Sequence, residues 1–443
     1  MRKSSVWLVA AVFGALCLSG ASFLAGLGIG WYGRSLRPSA PGVSEVRPPT
    51  PPPDAQAADP ARGDASAQAE SGAADEQATP GSRLQPFSEA WELIQRDFYS
   101  EQALDYQAAA YGAIRGLVGT LGDPHTSFVE PPQAELDKSG YEGSFGGIGA
   151  YVGMTEEGQP FISAIMPGQP AEGAGLRAGD IIAQVDGVAV DGLSQDEVVL
   201  LIRGPVGTTV TLGIQRQDQE DLLLVPVVRA EIKQITVTWE PLQDGQVGYV
   251  QLTFFAEPTG DELAGALAEI REQGISEIVL DLRGNRGGLL SASGEVASKL
   301  LPEGVLLYER RRGEDGELVE QAYMIPDAAT SYAEGRLVVL VDEGTASAAE
   351  IVAGAIQDYA RGVLIGEKTY GKGSMQYVHE LSDGSSLHVT AAHWLTPHRR
   401  PINGLGLDPD ILVPRTTEDM QAGNDPQLDR ALQYLAEQSE GDR

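Results

Sequence analysis

From Gln246 to about Val413, apolar runs alternate with amphipathic stretches, and no other feature of this 443-residue chain restricts its fold as much. Residues 248–254, 277–282 and 336–341 read as strands, the latter two rich in Ile, Val and Leu. Residues 261–273, 289–301 and 347–359 read as helices, the last with Ile351, Val352, Ala355, Ile356 and Tyr359 on one face. Strand–helix alternation of this kind predicts an α/β core whose sheet is covered by helices. A chain this long is expected to divide into two or three domains.

Two segments of this region carry chemistry. Gly344-Thr345-Ala346-Ser347-Ala348-Ala349-Glu350 follows the strand 336–341, so Ser347 falls in the first turn of a helix, where unpaired N–H groups favour a developing negative charge. The arrangement is analogous to a nucleophile elbow, although the G-x-S-x-G signature is absent. A serine at a helix start is also an ordinary cap. Gly371-Lys372-Gly373-Ser374-Met375-Gln376 begins 24 residues after Ser347 and follows the apolar run 362–366. A lysine buried beside the serine would lose solvation and its pKa would fall, so that a neutral amine could take the serine proton. In an extended segment Lys372, Ser374 and Gln376 share one face, and the Gln376 carbonyl could orient the lysine. Against this stands the usual fate of a lysine, a solvated surface position. Asp281-Leu282-Arg283-Gly284-Asn285-Arg286-Gly287-Gly288 joins a strand to a helix, and its glycines allow close approach of backbone N–H groups to a ligand.

Residues 141–228 change pattern to short strands and glycine turns. Gly147-Ile148-Gly149-Ala150 precedes a strand, a helix is expected over 194–202, and 210–215 reads as the final strand. This string resembles a PDZ domain. The resemblance implies that Gly147, Ile148, Gly149 and Ala150 bind a C-terminal carboxylate through backbone N–H groups, with the next strand edge accepting a peptide.

The remaining regions frame these two. After Arg2 and Lys3 no charge appears until Arg34, and the apolar run from Val6 to Tyr32 is long enough to span a bilayer. Residues 1–37 are therefore expected to be a cytoplasmic tail and an uncleaved transmembrane signal-anchor, with the body on the extracytoplasmic side, or secreted if the signal is cleaved. Residues 38–82, rich in Pro and Ala, read as a disordered linker. Residues 83–140 read as a small helical lobe, 229–415 as the catalytic core and 416–443 as a C-terminal helix or tail. The formal net charge of −32 leaves no basic excess for phosphates, which disfavours nucleic-acid binding. The single cysteine, Cys17, excludes an intrachain disulfide and a Cys-type zinc site. His125, His379, His388, His393 and His398 include no HExxH pair, so a Ser-His hydrolase or metallohydrolase finds little support, and no cofactor or metal is expected.

With a PDZ-like string ahead of them, the three core segments resemble the carboxy-terminal processing peptidases, or tail-specific proteases. The resemblance runs from Phe87 to Val413 and includes the loop Asp123-Pro124-His125-Thr126-Ser127-Phe128 and the ending Pro401-Ile402-Asn403-Gly404…Pro409-Asp410-Ile411. It implies a crotonase-like α/β core of layered βα units with an inserted, mostly β PDZ domain. It also implies a catalytic triad of Ser347, Lys372 and Gln376, and an oxyanion hole at the backbone of Gly288 and Ala348 with Gly287 close by. The PDZ domain would gate the site, with Arg203 a candidate for that coupling. Substrates would be proteins or peptides with exposed C-terminal tails; self-association is left open. The family pattern D-L-R-x-N-P-G-G is broken at Arg286, which stands in place of proline and puts the rigidity and charge of the turn in question. The alternative is a membrane-tethered PDZ adaptor on an inactive peptidase-like core, against which the intact Ser, Lys and Gln argue.

Overall fold

The computed structural model describes residues 84–441, apart from 101–102, 217–218, 220, 314 and 328–334. The expected membrane anchor, the linker and Cys17 lie outside the described residues. Among the described residues, no helix is long and apolar enough to cross a membrane. They fall into two units that meet in sequence between Ile114 and Arg115.

The first unit holds α1 (Gln85–Asp97) and the start of α2 (Tyr106–Gly119), both within the stretch expected to be helical. Trp91 of α1 lies 6.2 Å from the Tyr106 ring, centroid to centroid, whereas Phe87, Ile94 and Phe98 are exposed.

The second unit opens with β1 (Ser127–Val129), α3 (Pro131–Glu142) and β2 (Ser144–Gly147). The sequence reading gave no separate helix at α3. Two prolines start it and Gly143, at φ 73°, ends it in a left-handed cap. There follow β3 (Ala150–Met154), β4 (Pro160–Ile165), α4 (Pro170–Gly173), β5 (Ile181–Val185), β6 (Val188–Ala189), α5 (Gln195–Ile202), β7 (Thr209–Gln215), β8 (Leu223–Val228) and β9 (Ala230–Lys233). The sheet runs β3-β4-β5-β7-β8, with β6 on β5, and leaves β3 at one edge. Its core gathers Ile148, Ile162, Ile182, Val198, Leu212 and Ile214. Ser194 caps α5 in a reciprocal box with Glu197. The expectation that 210–215 ends this sheet is corrected: β8 pairs with β7 along its length. Pro226 masks that strand in the sequence and is tolerated because β8 is an edge. The strands β2 and β9 pair antiparallel as chain enters and leaves this module.

The core continues with β10 (Val237–Leu242), β11 (Val247–Leu252), α6 (Thr259–Glu272), β12 (Glu277–Asp281), α7 (Leu290–Leu300), β13 (Val305–Arg312), β14 (Leu318–Met324), β15 (Arg336–Val341), α8 (Ala348–Asp358), β16 (Val363–Gly366), β17 (Ser374–Glu380), β18 (Ser386–Leu395), β19 (Ile411–Leu412), α9 (Thr417–Ala422) and α10 (Pro426–Gly441). One sheet has the order β10-β11-β12-β15-β16-β19 and is parallel except for β10. Residues of α6, α7 and α8 bury one face of it. Ala431 and Leu435 of α10 pack on the other, against Val247, Val279, Val338, Leu340 and Ile365. Both faces covered is what strands that read as continuous apolar runs require. A second sheet, β1-β18-β13-β14 with β17 also on β18, joins segments far apart in sequence; Ser127 pairs with His388.

Candidate active site

The strand β15 delivers the chain into a tight turn before α8. Thr345 holds the turn: its N–H reaches Asp342 O at 3.0 Å and its hydroxyl reaches Leu282 O at 2.9 Å. Ala346 N–H donates to Asn285 O at 2.9 Å. These ties deliver Ser347 to the N-cap of α8 at φ 56°, ψ −119°. A non-glycine residue at positive φ outside the usual left-handed well carries backbone strain on the order of 1–3 kcal/mol. The ordinary cap weighed above would sit in relaxed extended backbone, so the turn has the sharp geometry of an elbow. The helix begins at Ala348, one residue later than the sequence spacing suggests.

Glu350 holds the serine and lysine segments together. It is 0% exposed, and its carboxylate accepts from Ser347 N–H (2.9 Å), Thr369 Oγ1 (2.5 Å), Gly371 N–H (2.7 Å) and Lys372 N–H (2.9 Å). Burial raises its pKa, opposed by hydrogen bonds from Thr369, Gly371, Ser347 and Lys372. The sequence reading assigned it no role, though Ser347-x-x-Glu350 has capping-box spacing. What the spacing hides is that the same carboxylate gathers the segment 369–372.

Lys372 lies two residues before β17, with its carbonyl accepting from Trp394 Nε1 at 3.1 Å. Burial lowers the pKa of its amine. His125 and His388 stand near enough for the lysine charge to depress their own pKa values, after the larger effect of burial on each. Gln376 donates through Nε2 to Ser374 Oγ at 2.9 Å and Thr390 Oγ1 at 3.1 Å, placing 374 and 376 on one face as the alternation predicts. Among the described residues, no hydrogen bond links Lys372 Nζ to Ser347 or Gln376.

The loop after β12 lies against the elbow. A Cβ on Gly287 would stand 2.8 Å from both Ala348 N and Ser347 Cβ, and one on Gly288, at φ 141°, only 2.1 Å from Phe255 O. Asn285, fully buried, donates Nδ2 to Leu252 O and accepts the Gly287 N–H at 2.9 Å. Gly287 therefore contributes close approach, its N–H being already engaged, whereas Gly288 and Ala348 have no protein acceptor among the described residues. Ser347, Ala348, Gly288, Lys372 and Gln376 line one cavity of about 750 Å³, whose apolar wall includes Leu289, Ile351, Met375 and Trp394. Arg286 lines it too and is exposed, without a carboxylate partner among the described residues.

In the β-rich module, Gly147 pairs with Ala230 and so belongs to β2, while Ile148 is buried in the module core. Gly149, at φ 72°, is pressed against Gln169, whose Cβ would stand 2.1 Å from an added Cβ. Ala150 opens the edge strand β3. Gln195 of α5 donates to Val152 O on that edge at 3.1 Å. Arg203 ends α5 with its guanidinium 3.5 Å from the Phe145 ring centroid and Nη1 2.6 Å from Ser139 Oγ, which links the module to α3. Burial pulls its pKa down to about 10, against the nearby Glu135 and Asp196. Among the described residues no cluster of three or more His, Cys, Asp or Glu could hold a metal ion.

A covered mixed α/β sheet, an embedded module with an edge strand, and a serine elbow that lines one cavity with a half-buried lysine are the marks of a PDZ-bearing peptidase class. The comparisons agree. The pattern described as Peptidase family S41 matches residues 246–413, and that of the PDZ domain matches 139–215. The chain is 33% identical over 335 residues to the "Probable CtpA-like serine protease" of Staphylococcus aureus (strain bovine RF122 / ET3-1), covering 76% of this chain and 66% of that protein. It is likewise 33% identical over 330 residues to the protein so described from Staphylococcus epidermidis (strain ATCC 35984), covering 74% and 65%. Among solved structures it is similar to "Photosystem II D1 C-terminal processing protease", at 32% identity over 76% of this chain and 94% of that one, with a TM-score of 0.42. The chain belongs to peptidase family S41. It spans about 66% of the length of the curated relatives it matches.

Proposed function

We propose that this chain is a serine endopeptidase that captures C-terminal tails of protein substrates in its PDZ domain and cleaves them through an acyl-enzyme. The observation that carries the reading is a strained serine elbow sharing one cavity with a lysine whose amine burial favours as neutral. Lys372 takes the Ser347 proton as the hydroxyl attacks the scissile carbonyl, and returns it to the leaving amine. The N–H groups of Gly288 and Ala348 receive the negative charge on the carbonyl oxygen, helped by the N-terminus of α8. Water then attacks the acyl-enzyme, with Lys372 again as base. Gln376 orients the lysine amine through Oε1. Lys372 and Ser347 are not hydrogen-bonded in this conformation, so the catalytic contact forms on substrate engagement, as is common for unliganded sites.

In the PDZ domain the N–H groups of Ile148, Gly149 and Ala150 receive the terminal carboxylate, Gly147 shapes the entry, and the tail adds to the edge of β3. Arg203, held between Phe145 and Ser139, couples that capture to the core. The domain limits given above and a membrane-anchored, extracytoplasmic body are part of the same proposal, the latter resting on the apolar run of residues 6–32. The test is cleavage by the purified full chain of matched substrates that differ only in an apolar or charged C-terminus. The apolar tail should be cleaved faster, and Ser347→Ala or Lys372→Ala should abolish turnover. Full activity in Lys372→Ala would overturn the assignment of the base. Labelling of Ser347 by an acylating serine probe separates the enzyme from a binding-only adaptor.

A further inference from the structure

The loop Asp123–Phe128 has no part in the chemistry just proposed, yet it is wired to Gln376. Asp123 accepts from His125 N–H at 3.2 Å, Thr126 N–H at 2.9 Å and Thr126 Oγ1 at 2.6 Å. Burial pushes its pKa up, but the hydrogen bonds from Thr126, Thr390 and the backbone at His125 and Thr126 outweigh it and take the group to about 2. At neutral pH Asp123 is therefore an acceptor only. That fixes the Thr126 hydroxyl. Thr126 gives its proton to Asp123, and its oxygen accepts the Thr390 N–H at 3.1 Å. Thr390, its N–H anchored in this way, presents a side-chain oxygen that accepts from Gln376 Nε2. Ser374 Oγ takes the second bond from the same nitrogen.

An amide looks nearly alike in its two flipped orientations, and the surrounding donors and acceptors decide between them. Here Asp123 anchors one of the two oxygens that meet the amide, through Thr126 and the Thr390 backbone. With Nε2 committed twice, Oε1 points away from Ser374 and Thr390, and no donor meets it among the described residues. Strand pairing makes the wiring a property of the fold. Gln376 pairs with Thr390 across β17–β18, and β1 pairs with β18 just ahead of Thr390.

We propose that Asp123 is a positioning residue that acts through Thr126 and Thr390 to hold the Gln376 amide with its carbonyl oxygen presented to Lys372. This rests on the Ser347–Lys372–Gln376 reading above. A flipped amide would offer donors to an amine that needs an acceptor, and the lysine would lose its orientation.

The test is a double-mutant cycle on the full chain, with kcat and KM measured on one tail-bearing peptide. Thr390→Val keeps the side-chain shape and removes the hydroxyl. It should lower kcat about tenfold, a part of the 10²–10⁴ that a positioned acid–base group supplies, and leave KM within about twofold. Thr390→Ser should restore kcat to within about twofold, and Asp123→Asn should repeat the loss. In a Gln376→Ala background Thr390→Val should cost nothing further, because the two act through one group. Wild-type kcat in Thr390→Val, or an equal loss in both backgrounds, overturns the relay. If Thr390→Val fails to fold, Asp123→Asn in the same two backgrounds gives the same reading. Turnover surviving in Ser347→Ala would instead sink the serine mechanism itself, so the two failures are distinguishable.

Discussion

The glycine turn at Gly149 in the PDZ domain and that at Gly288 in the peptidase core are alike in steric terms. Each holds a positive φ, and in each an added Cβ would meet a neighbouring atom at 2.1 Å. Their surroundings differ. Gly149 is set by apolar packing, with Ile148 in the module core and Gln169 against its face. Gly288 stands beside a buried polar frame in which Asn285 and Glu350 satisfy backbone N–H groups of the adjoining turns. Holding a carboxylate that is already charged needs a shaped row of N–H groups. Stabilising a charge that appears only in the transition state needs those groups fixed beforehand, since reorganisation during reaction would cost what they contribute.

The comparison breaks most severely at Glu350. Glu350→Ala leaves four donors, two of them buried, without this acceptor and releases the serine turn from the lysine segment. Stability should fall by about 3–5 kcal/mol, measured by urea unfolding, with turnover lost. The two glycines should then part company. Gly288→Ala keeps the N–H, but its Cβ would meet Phe255 O and displace the proposed oxyanion donor, which should lower kcat by about 10²–10³ with KM little changed. Gly149→Ala should instead raise KM about tenfold or more for tail-bearing substrates at nearly constant kcat, because it removes capture and leaves chemistry intact. Steady-state kinetics on one peptide checks both.

A smaller effect comes from pH. In the proposed mechanism only a neutral Lys372 amine can accept the serine proton, and burial places its pKa below that of an ordinary lysine. Below that pKa the amine is protonated and idle, so kcat should rise with pH through it and level off above. The profile should be set at lower pH than free lysine would dictate, and a rate indifferent to pH through the neutral and alkaline range would contradict the role of the base. The smallest effect expected is at Gln195, which occupies Val152 O on the β3 edge. Gln195→Ala frees that acceptor for a bound tail and should tighten peptide binding by no more than about fivefold, the scale of one net hydrogen bond. Calorimetry with a tail peptide measures it.

Much of this molecule could be read along the chain. The βα alternation, the helix at Ser194 with its capping box, and the strand before Ser347 depend on periodicities and caps within a dozen residues, and the structure reproduces them within one or two residues at most ends. Strands such as β8 and β13 escaped because a proline and charged residues blur their alternation, and the second sheet depends on partners distant in sequence. Ser347, Lys372, Gln376 and the Gly287–Gly288 loop were legible as candidates because each residue type sits in a short, distinctive context.

Their arrangement was not legible in the same way. Nothing local reveals that Glu350 collects N–H groups from a segment some twenty residues away, that Gly287 has its own N–H engaged, or that Asp123 reaches Gln376 through Thr126 and Thr390. By itself the sequence determined which elements form and which side chains have reactive chemistry, because those follow from near-neighbour sterics and residue type. Only the tertiary structure decided the strained backbone at Ser347, the burial that lowers the lysine pKa, and which way the glutamine amide faces. Each depends on desolvation and hydrogen-bond direction, which exist only once distant segments have packed.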